Sequence, residues 1–162
     1  MNYAMTQCGY PEHTLDEVRR YVGNGILLLM QRAIPGGKDD PNFDKAFTLF
    51  KEHYGKHCND TTKPYAGIME LLHTLKENNI KIAIVSNKAD FAVKELNAIY
   101  FKDLIPVAIG EKESEGIRKK PAPDTVIEAL KQLGSTAENS VYIGDSDVDI
   151  ETARNSGMDE IL

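Results

Sequence analysis

Cysteine is scarce in this sequence, which has only Cys8 and Cys58 among its 162 residues. The two lie far apart and form no Cys-x-x-Cys pair, so neither a disulfide framework nor a zinc knuckle is indicated. Chains without such pairing are typical of reducing compartments. The sequence therefore predicts a cytoplasmic protein.

The sequence also lacks an excess of basic residues, and it has no long apolar run. The formal net charge is −6, whereas a general binder of nucleic acid or of anionic membranes needs basic patches. No apolar stretch reaches the roughly 20 residues that span a bilayer, and residues 1–5 lack the features of a signal peptide. We therefore expect no nucleic-acid or membrane partner. A phosphorylated metabolite remains possible, and the oligomeric state, monomer or homodimer, stays open.

Two segments with different patterns divide the chain. Residues 1–62 are predicted to be all helical, with a capping box formed by Thr14 and Glu17. Residues 63–162 alternate between apolar runs and amphipathic stretches, which predicts strand–helix units around a parallel sheet. Four aromatic residues near the end of the first segment recur at helical spacing, which is typical of packing; they are Phe43, Phe47, Phe50 and Tyr54.

The second segment contains short apolar runs that are typical of buried parallel strands. These runs are Ile80–Val85, Leu104–Ile109 and Val141–Ile143, and a fourth strand is predicted to begin at Glu160. Apolar residues at helical spacing separate the runs. The predicted helices cover residues 68–75, 89–99, 126–133 and 150–155.

Polar segments follow the predicted strands. Ser86-Asn87-Lys88 comes directly after the first strand, where a hydroxyl and backbone N–H groups can hold phosphate oxygens. Lys120 is followed by Pro121 and precedes a helix, so that its ammonium group can be directed at a phosphate. Taken alone, Ser86-Asn87-Lys88 is more often a plain turn, and a lysine such as Lys120 is more often a solvated surface charge.

Three carboxylates follow the third strand, at Asp145, Asp147 and Asp149. Acidic side chains at the carboxyl end of a parallel strand lie where open α/β sheets bind ligands. They suit Mg²⁺, which takes one or two carboxylates together with waters and phosphate oxygens. Ser146-x-x-Asp149 could by itself be only a helix-capping pair. Together, however, the three segments supply a phosphate seat, a cation and metal-binding carboxylates, the parts that phosphoryl transfer needs.

These motifs resemble those of the haloacid dehalogenase (HAD) superfamily of phosphohydrolases. Ser86 matches the hydroxyl of motif II, Lys120 the lysine of motif III, and Gly144-Asp145-x-x-x-Asp149 the acids of motif IV. Their order and spacing agree, and the resemblance extends over nearly the whole chain. It implies a Rossmann-like α/β core with a parallel sheet. Residues 1–62 resemble the all-helical C1-type cap of the superfamily.

Within the superfamily, the chain is most similar to phosphoglycolate phosphatases and their pyrophosphatase relatives. The similarity rests on Asn87-Lys88, on the run from Lys120 to Pro123, and on Tyr21–Gly25 in the predicted cap. It implies a small phosphorylated metabolite as substrate. The substrate-binding residues that it implies are Gly23, Asn24 and Lys88.

The superfamily's motif I, Asp-x-Asp-x-Thr on the first core strand, does not occur in these 162 residues. In the superfamily that strand lies between the strands that here carry Ser86 and Asp145. We therefore expect a core that is incomplete at both ends, from a truncated sequence, a misassigned start or a fragment. Two strand edges would then be unpaired, and each buried backbone group without a partner costs about 1–3 kcal/mol.

For a complete enzyme, the resemblance implies a Mg²⁺-dependent phosphatase that forms an aspartyl-phosphate on the missing motif I aspartate. Ser86 and the backbone of Asn87 would hold a phosphoryl oxygen, and Lys120 would offset the charge that develops during transfer. Asp145 would bind Mg²⁺ directly. Asp149 would act on the metal through water or would orient Lys120.

Other functions remain open at this point. One is a non-catalytic HAD-fold protein with a binding or regulatory role, which would need no nucleophile. Another is a different HAD hydrolase such as a pyrophosphatase, or a mutase, although Ser86-Asn87-Lys88 has the phosphatase form. The chain as it stands is predicted to be inactive, while weak binding of Mg²⁺ or phosphate could remain.

Overall fold

The computed structural model describes residues 1–22 and 25–162, which form two compact units, Met1–Thr62 and Lys63–Leu162. The first unit contains only helices among its described residues. They are α1 (Asn2–Gln7), α2 (Leu15–Tyr21), α3 (Ile26–Ala33) and α4 (Phe43–His57), with a short 3₁₀ turn at Gly37–Asp39.

Local sequence signals explain the helices of the first unit. The Thr14 hydroxyl accepts a hydrogen bond from the Glu17 N–H, and the Glu17 carboxylate accepts one from the Thr14 N–H at 2.8 Å, which confirms the predicted capping box. The aromatic stripe of α4 packs into the core of this unit, as its spacing predicts. That core includes Met5, Met30, Ile34, Phe43 and Phe50, and Phe47 and Tyr54 pack against it.

The second unit alternates helices and strands, which confirms the predicted α/β class. Its helices are α5 (Ile68–Glu77), α6 (Asp90–Tyr100), α7 (Asp124–Leu133) and α8 (Asp147–Ser156). Its strands are β1 (Ala83–Ala89), β2 (Val107–Glu111), β3 (Val141–Ile143) and β4 (Asp159–Ile161). None of the helices in the described part of the chain is both long and apolar enough to cross a membrane.

The strands form two separate parallel pairs rather than one continuous sheet. β1 pairs with β2, with Ala83 opposite Val107, and β3 pairs with β4, with Val141 opposite Asp159. No ladder joins β1 to β3 in the part of the chain that the structure describes. The break falls between β1, which carries Ser86, and β3, which precedes Asp145. The resemblance leads us to expect unpaired strand edges at this place.

Helix α7 packs against both strand pairs. Ala129 belongs to a cluster with Val107 and Ile109 of β2, while Val126 belongs to a cluster with Tyr142 of β3. The two apolar positions lie three residues apart on one amphipathic helix, so a single helix face reaches both sheets. α7 thereby fixes the two pairs beside each other within this unit.

Two strand boundaries differ from the predicted ones, because apolar residues also close helix ends. Ile80 donates its N–H to the Leu75 carbonyl at the end of α5, and β1 begins only at Ala83. β1 then continues to Ala89, so Ser86-Asn87-Lys88 lies inside the strand rather than after it. The register of β1 with β2 shifts between Val85 and Ala89.

The second strand also begins later than predicted, at Val107 rather than at Leu104. The N–H groups of Leu104 and Ile105 both bond to the Phe101 carbonyl and close the end of α6. Both side chains are buried in that turn. Hydrophobicity alone does not distinguish such a buried turn from a strand.

Candidate active site

A buried ion pair forms the centre of the candidate site. The Lys120 Nζ atom lies 2.7 Å from Oδ1 of Asp149, and only 13% of the lysine side chain and 7% of the aspartate side chain are exposed. Charges are rarely this buried unless they are paired and hydrogen-bonded. The pair joins the loop before α7 to the first turn of α8.

The Asp149 carboxylate accepts hydrogen bonds at both of its oxygens. Oδ1 also accepts one from the Tyr142 hydroxyl at 3.0 Å. Oδ2 accepts from the Ser146 hydroxyl at 2.6 Å and from the Asp145 N–H at 3.2 Å. Together with Lys120, these donors hold the carboxylate in one orientation.

Gly144 permits the close approach of Asp149 to the end of β3. A Cβ atom built on Gly144 would lie 2.2 Å from the Asp149 Cβ and 2.5 Å from its Cγ. Real Cβ atoms essentially never approach so closely, so any side chain at this position would push α8 away from β3. Glycine is therefore required for the tight turn that brings Asp145 and Asp149 together.

The surroundings fix the protonation of this cluster. Burial alone would raise the pKa of Asp149, but hydrogen bonds from Lys120 and Ser146 and the charge of Lys120 outweigh it, so the pKa lies well below its ordinary value. Burial raises the pKa of the Tyr142 hydroxyl, and the negative charge of Asp149 raises it further. Asp149 is therefore ionised and Tyr142 protonated at neutral pH.

Asn87 connects β1 to the backbone of Lys120. Its side-chain Nδ2 donates to the Lys120 carbonyl at 3.0 Å, and its Oδ1 accepts from the Lys120 N–H at 2.9 Å. This double hydrogen bond satisfies both backbone groups of the lysine. The side chain of Asn87 therefore positions Lys120, which differs from the phosphate-holding role predicted for the Asn87 backbone.

Ser86 lies beside this clamp on β1. Its Oγ atom accepts the Lys88 N–H at 3.1 Å, which leaves the hydroxyl proton of Ser86 able to donate to a ligand. Ser86 and Lys88 are both half-buried. Ser86 is therefore the strand neighbour of the residue that clamps the Lys120 backbone.

Ion pairs fasten the loop that carries Lys120. Arg118 donates from Nε and from a terminal nitrogen to the two oxygens of Asp124, at 3.0 and 2.7 Å, and Lys119 donates to Glu113 at 3.0 Å. The Arg118 hydrogen bonds lower the pKa of Asp124. Planar forked pairs of this kind restrict orientation more than a single contact does.

Asp145 is the exposed carboxylate of the cluster. In the described structure, no side-chain or backbone donor contacts its carboxylate, and no group of three or more His, Cys, Asp or Glu side chains could hold a metal by itself. One carboxylate with waters and phosphate oxygens still fits Mg²⁺, which keeps much of its hydration. Because donors occupy both oxygens of Asp149, its arrangement favours the orientation of Lys120 over direct metal binding.

The structure thus gathers most of the predicted site residues at the carboxyl ends of β1 and β3. Ser86, Asn87 and Lys120 lie on one side, and Asp145 and Asp149 on the other, with the Lys120–Asp149 pair joining them. Lys88 is the next residue of the same strand. The other two predicted substrate-binding residues, Gly23 and Asn24, lie outside the described residues.

Sequence reasoning missed two residues of the cluster, Tyr142 and Ser146. Tyr142 also accepts a hydrogen bond from Lys120 at 3.2 Å. The sequence does contain a signal for Tyr142, because a tyrosine within a predicted buried strand needs a partner for its hydroxyl. Asp149, in the helix that follows the strand, is such a partner. The sequence indicates Ser146 only as part of a helix-capping pair, yet its hydroxyl donates to the Asp149 carboxylate.

Comparisons of the sequence with known proteins agree on one family. The family model described as haloacid dehalogenase-like hydrolase matches residues 1–162. A phosphoglycolate phosphatase from Aquifex aeolicus is 32% identical over 98% of this chain and 72% of its own length. One from Pseudomonas putida is 28% identical over 95% of this chain, and this chain spans only 58% of that relative's length.

Solved structures agree in fold. A Lactobacillus delbrueckii subsp. bulgaricus protein, provisionally described as a phosphoglycolate phosphatase, is 36% identical with a TM-score of 0.86 and covers 98% of this chain and 75% of its own. CbbY from Rhodobacter sphaeroides, solved with phosphate, is 20% identical with a TM-score of 0.78 and covers 98% and 74%. At that identity, the second comparison supports the fold alone.

Proposed function

Because this chain belongs to the haloacid dehalogenase-like hydrolase family, we propose that it forms part of a Mg²⁺-dependent phosphatase that acts on a small phosphomonoester. The observation that carries the proposal is the Lys120–Asp149 pair, held at 2.7 Å beside Ser86 and Asn87. A fixed ammonium group whose backbone is clamped to the strand that carries the Ser86 hydroxyl is suited to hold a phosphoryl group. The relatives named phosphoglycolate phosphatase support an ester of the phosphoglycolate type.

The proposed phosphate seat has two parts. The Ser86 hydroxyl and the backbone of Asn87 hold phosphoryl oxygens, and the Lys120 ammonium offsets the negative charge that develops during transfer. Asp149 and Tyr142 hold that ammonium in place, so little reorganisation is needed when the substrate binds. Preorganised donors of this kind stabilise a transition state more than mobile ones do.

Asp145 is the residue proposed to hold Mg²⁺, with waters and a phosphate oxygen completing its ligands. When bound, the ion would neutralise part of the phosphate charge. Asp149 is not a ligand of the ion in this proposal. It fixes Lys120 and accepts a hydrogen bond from the Asp145 N–H. The acidic loop thus separates two tasks between two carboxylates.

The proposed reaction also needs a carboxylate nucleophile, which would attack phosphorus, release the alcohol and form an aspartyl-phosphate that water then hydrolyses. These 162 residues contain no Asp-x-Asp-x-Thr motif to supply it. The helical unit of residues 1–62 is proposed to act as the cap that selects the leaving group, with Gly23 and Asn24 as substrate contacts and Lys88 beside the phosphate seat.

One experiment tests this proposal on the natural protein. Intact mass is measured on the same sample that is assayed for Mg²⁺-dependent phosphate release from p-nitrophenyl phosphate and phosphoglycolate. Activity that Lys120→Met removes and the control Lys119→Met keeps is the expected result, and comparison of the sample's mass with the 18.0 kDa of this chain establishes whether residues outside these 162 take part. Activity that survives Lys120→Met would contradict the proposed seat.

A second candidate function is a HAD-fold protein that binds phosphate without turnover. The observation that favours it is the intact Lys120 cluster in a chain without the nucleophile motif. A natural protein of 18.0 kDa that is folded, inert and able to bind inorganic phosphate would support this candidate and exclude the first.

A further inference from the structure

The ladder between β1 and β2 is interrupted at the proposed phosphate seat. It pairs Val85 with Ile109 and then Ala89 with Glu111, so that three residues of β1 lie opposite one residue of β2. The three are Ser86, Asn87 and Lys88, which we call the seat bulge, and the one is Gly110. A bulge disrupts the ladder locally, so other contacts must hold the shape of this segment.

Gly110 brings β2 directly against the end of the seat bulge. It is buried, and a Cβ atom built on it would lie 2.7 Å from the Lys88 carbonyl oxygen and 2.3 Å from the Asp90 Cα atom. No side chain tolerates such distances from backbone atoms, so a glycine is required here. The backbone that leaves the seat bulge therefore packs on β2 at this one residue.

The Asp90 side chain fastens this contact. Its Oδ1 atom accepts the Gly110 N–H at 2.9 Å, which gives a buried backbone donor its partner where the ladder is interrupted. Its Oδ2 atom lies 2.6 Å from the Nζ atom of Lys94, one turn further along α6. Only 19% of the Asp90 side chain is exposed. Asp90 therefore joins the start of α6 to β2, directly after the seat bulge.

The surroundings of Asp90 keep its carboxylate ionised at neutral pH. Burial alone would raise its pKa, but hydrogen bonds from Lys94 and from the Gly110 N–H, together with the charges of Lys94 and Lys112, outweigh it, so the pKa lies below its ordinary value. A hydrogen bond to a charged acceptor is stronger than one to a neutral acceptor. Because donors occupy both of its oxygens, Asp90 is suited to hold its neighbours in the fold rather than a ligand.

The seat bulge is also held by its own side chains. The Ser86 Oγ atom accepts the Lys88 N–H at 3.1 Å, and the Asn87 side chain is bonded to the backbone of Lys120 at 3.0 and 2.9 Å. These bonds act within the bulge, whereas the bond between Asp90 and Gly110 acts just beyond it. The bulge is thus fixed both along its length and at its end.

We propose that Asp90 is a positioning residue of the phosphate seat. By holding the Gly110 N–H, it locks the seat bulge in the shape that presents the Ser86 hydroxyl and the Asn87 backbone to a phosphoryl group. The inference rests on the proposed function, because the seat is part of that proposal. Binding groups work only when supporting hydrogen bonds hold them within about 0.5 Å of the productive geometry. Without the acceptor at residue 90, the bulge loses its fixed end and the donors of the seat spread over several positions.

A purely structural role of Asp90 in α6 predicts different results. An acidic residue in the first turn of a helix interacts favourably with the helix dipole, and Asp90 and Lys94 form an i,i+4 pair. Both effects need a negative charge, whereas the bond to Gly110 needs an acceptor in the right place. Asp90→Asn removes the charge and keeps an acceptor, while Asp90→Ala removes both. The two variants therefore separate positioning of the seat from stabilisation of the helix.

The affinity of the whole 162-residue chain for inorganic phosphate tests the inference. Phosphorus NMR titration at neutral pH measures it for the wild type and for both variants. We expect Asp90→Ala to weaken phosphate binding about tenfold or more, and Asp90→Asn to keep the affinity within about twofold. An unchanged affinity of Asp90→Ala, or an equal loss in the two variants, would overturn this inference alone. Absence of phosphate binding by the wild-type chain would instead overturn the proposed seat, and this inference with it.

Amide hydrogen exchange reads the lock itself, without phosphate. In Asp90→Ala the Gly110 amide is expected to exchange about tenfold faster or more than in the wild type, and in Asp90→Asn it is expected to keep its protection. Unchanged exchange at Gly110 in Asp90→Ala would show that the carboxylate does not hold this backbone group, and would overturn the inference.

Two control variants separate the lock from general effects. Leu104→Ala removes a buried side chain just beyond the other end of α6, so it lowers stability and is expected to keep the phosphate affinity. Asp103→Ala, at an exposed aspartate, makes the same change of net charge and is expected to keep it as well. A loss in either control as large as in Asp90→Ala would overturn the inference.

Near-ultraviolet circular dichroism establishes that each variant is folded. If Asp90→Ala is unfolded, Asp90→Glu takes its place, because it keeps the charge and displaces the acceptor by one methylene group. It is expected to lose phosphate affinity and Gly110 protection in the same way, and wild-type values for both would overturn the inference.

Discussion

Lys120 reaches Asp149 across the end of the second unit, with its ammonium nitrogen 2.7 Å from Oδ1 of the aspartate. The same lysine is held by its backbone to the Asn87 side chain on β1. One residue therefore ties β1 and α8 together, and the proposed catalytic cation is also a structural link. This double role makes the pair the best point at which to test the site.

Loss of Lys120 is expected to destabilise the fold. Lys120→Met leaves the buried Asp149 charge without its partner, and breaking a buried pair in this way typically costs about 3–5 kcal/mol. The more exposed pair of Lys119 with Glu113, whose side chains are 27% and 48% exposed, provides the control, because Lys119→Met should cost less than about 1 kcal/mol. Urea denaturation measures both, and equal losses would contradict the importance assigned to the Lys120 pair.

Acid is expected to weaken the same cluster. The pKa of Asp149 is lower in the folded protein than in the unfolded chain, so its contribution is complete well above the unfolded value of about 3.9 and is lost as the pH falls below it. The free energy of unfolding should therefore fall with pH in this range. Asp149→Asn should flatten this dependence of the unfolding free energy on pH. Asp147→Asn, a change at an exposed aspartate, should keep it. Denaturation curves between pH 3 and 6 measure both, a range chosen around the unfolded pKa of about 3.9.

Gly144→Ala is expected to disturb the acidic loop. Its Cβ would lie 2.2 Å from the Asp149 Cβ, and relief of such overpacking typically costs about 1–3 kcal/mol. Gly157→Asn is a suitable control, because nothing lies within 4 Å of a Cβ there and asparagine tolerates its φ of +68°. Thermal unfolding compares the two, and a Gly144→Ala protein as stable as wild type would refute the close packing of α8 on β3.

Ser86→Ala is expected to weaken the binding of inorganic phosphate. A hydrogen bond to a charged ligand contributes about 1.5–3 kcal/mol, which corresponds to a loss of roughly tenfold or more in affinity. Ser156→Ala removes a hydroxyl that bonds only within α8 and should leave affinity unchanged. Phosphorus NMR titration measures the affinities, and an unchanged value for Ser86→Ala would remove this hydroxyl from the proposed seat.

The 162-residue chain assayed alone is expected to hydrolyse neither p-nitrophenyl phosphate nor phosphoglycolate. Without a covalent nucleophile, rates typically fall by several orders of magnitude, about 10⁶ in a serine protease. Phosphate release is measured with and without Mg²⁺, at the protein concentration used for the phosphate titration. Turnover that Lys120→Met abolishes would show that a nucleophile exists within these residues.

Much of this architecture follows from the sequence. The capping box at Thr14, the apolar stripe of α7 and the short strand at Val141–Ile143 follow from local rules that no distant contact overrides. Ser86, Lys120 and Asp149 could be grouped because parallel strands present their carboxyl ends at one edge.

Other features depend on contacts that no spacing rule encodes. Ile80 closes a helix rather than starting a strand, because the Leu75 carbonyl lies within reach of its N–H. Likewise, the partners of Tyr142 become visible only once α8 is folded back on β3. The use of the Asn87 side chain as a clamp depends on the path of the loop at Lys120, which is distant in sequence.

The position of α7 has a consequence for how the second unit unfolds. Two-stranded sheets are marginal by themselves, and each pair here takes part of its apolar cover from the same helix. Detachment of α7 removes apolar cover from both pairs at once, so the second unit is expected to melt in a single cooperative step. A helix shared in this way makes the unit thermodynamically indivisible, even though no ladder joins its described sheets.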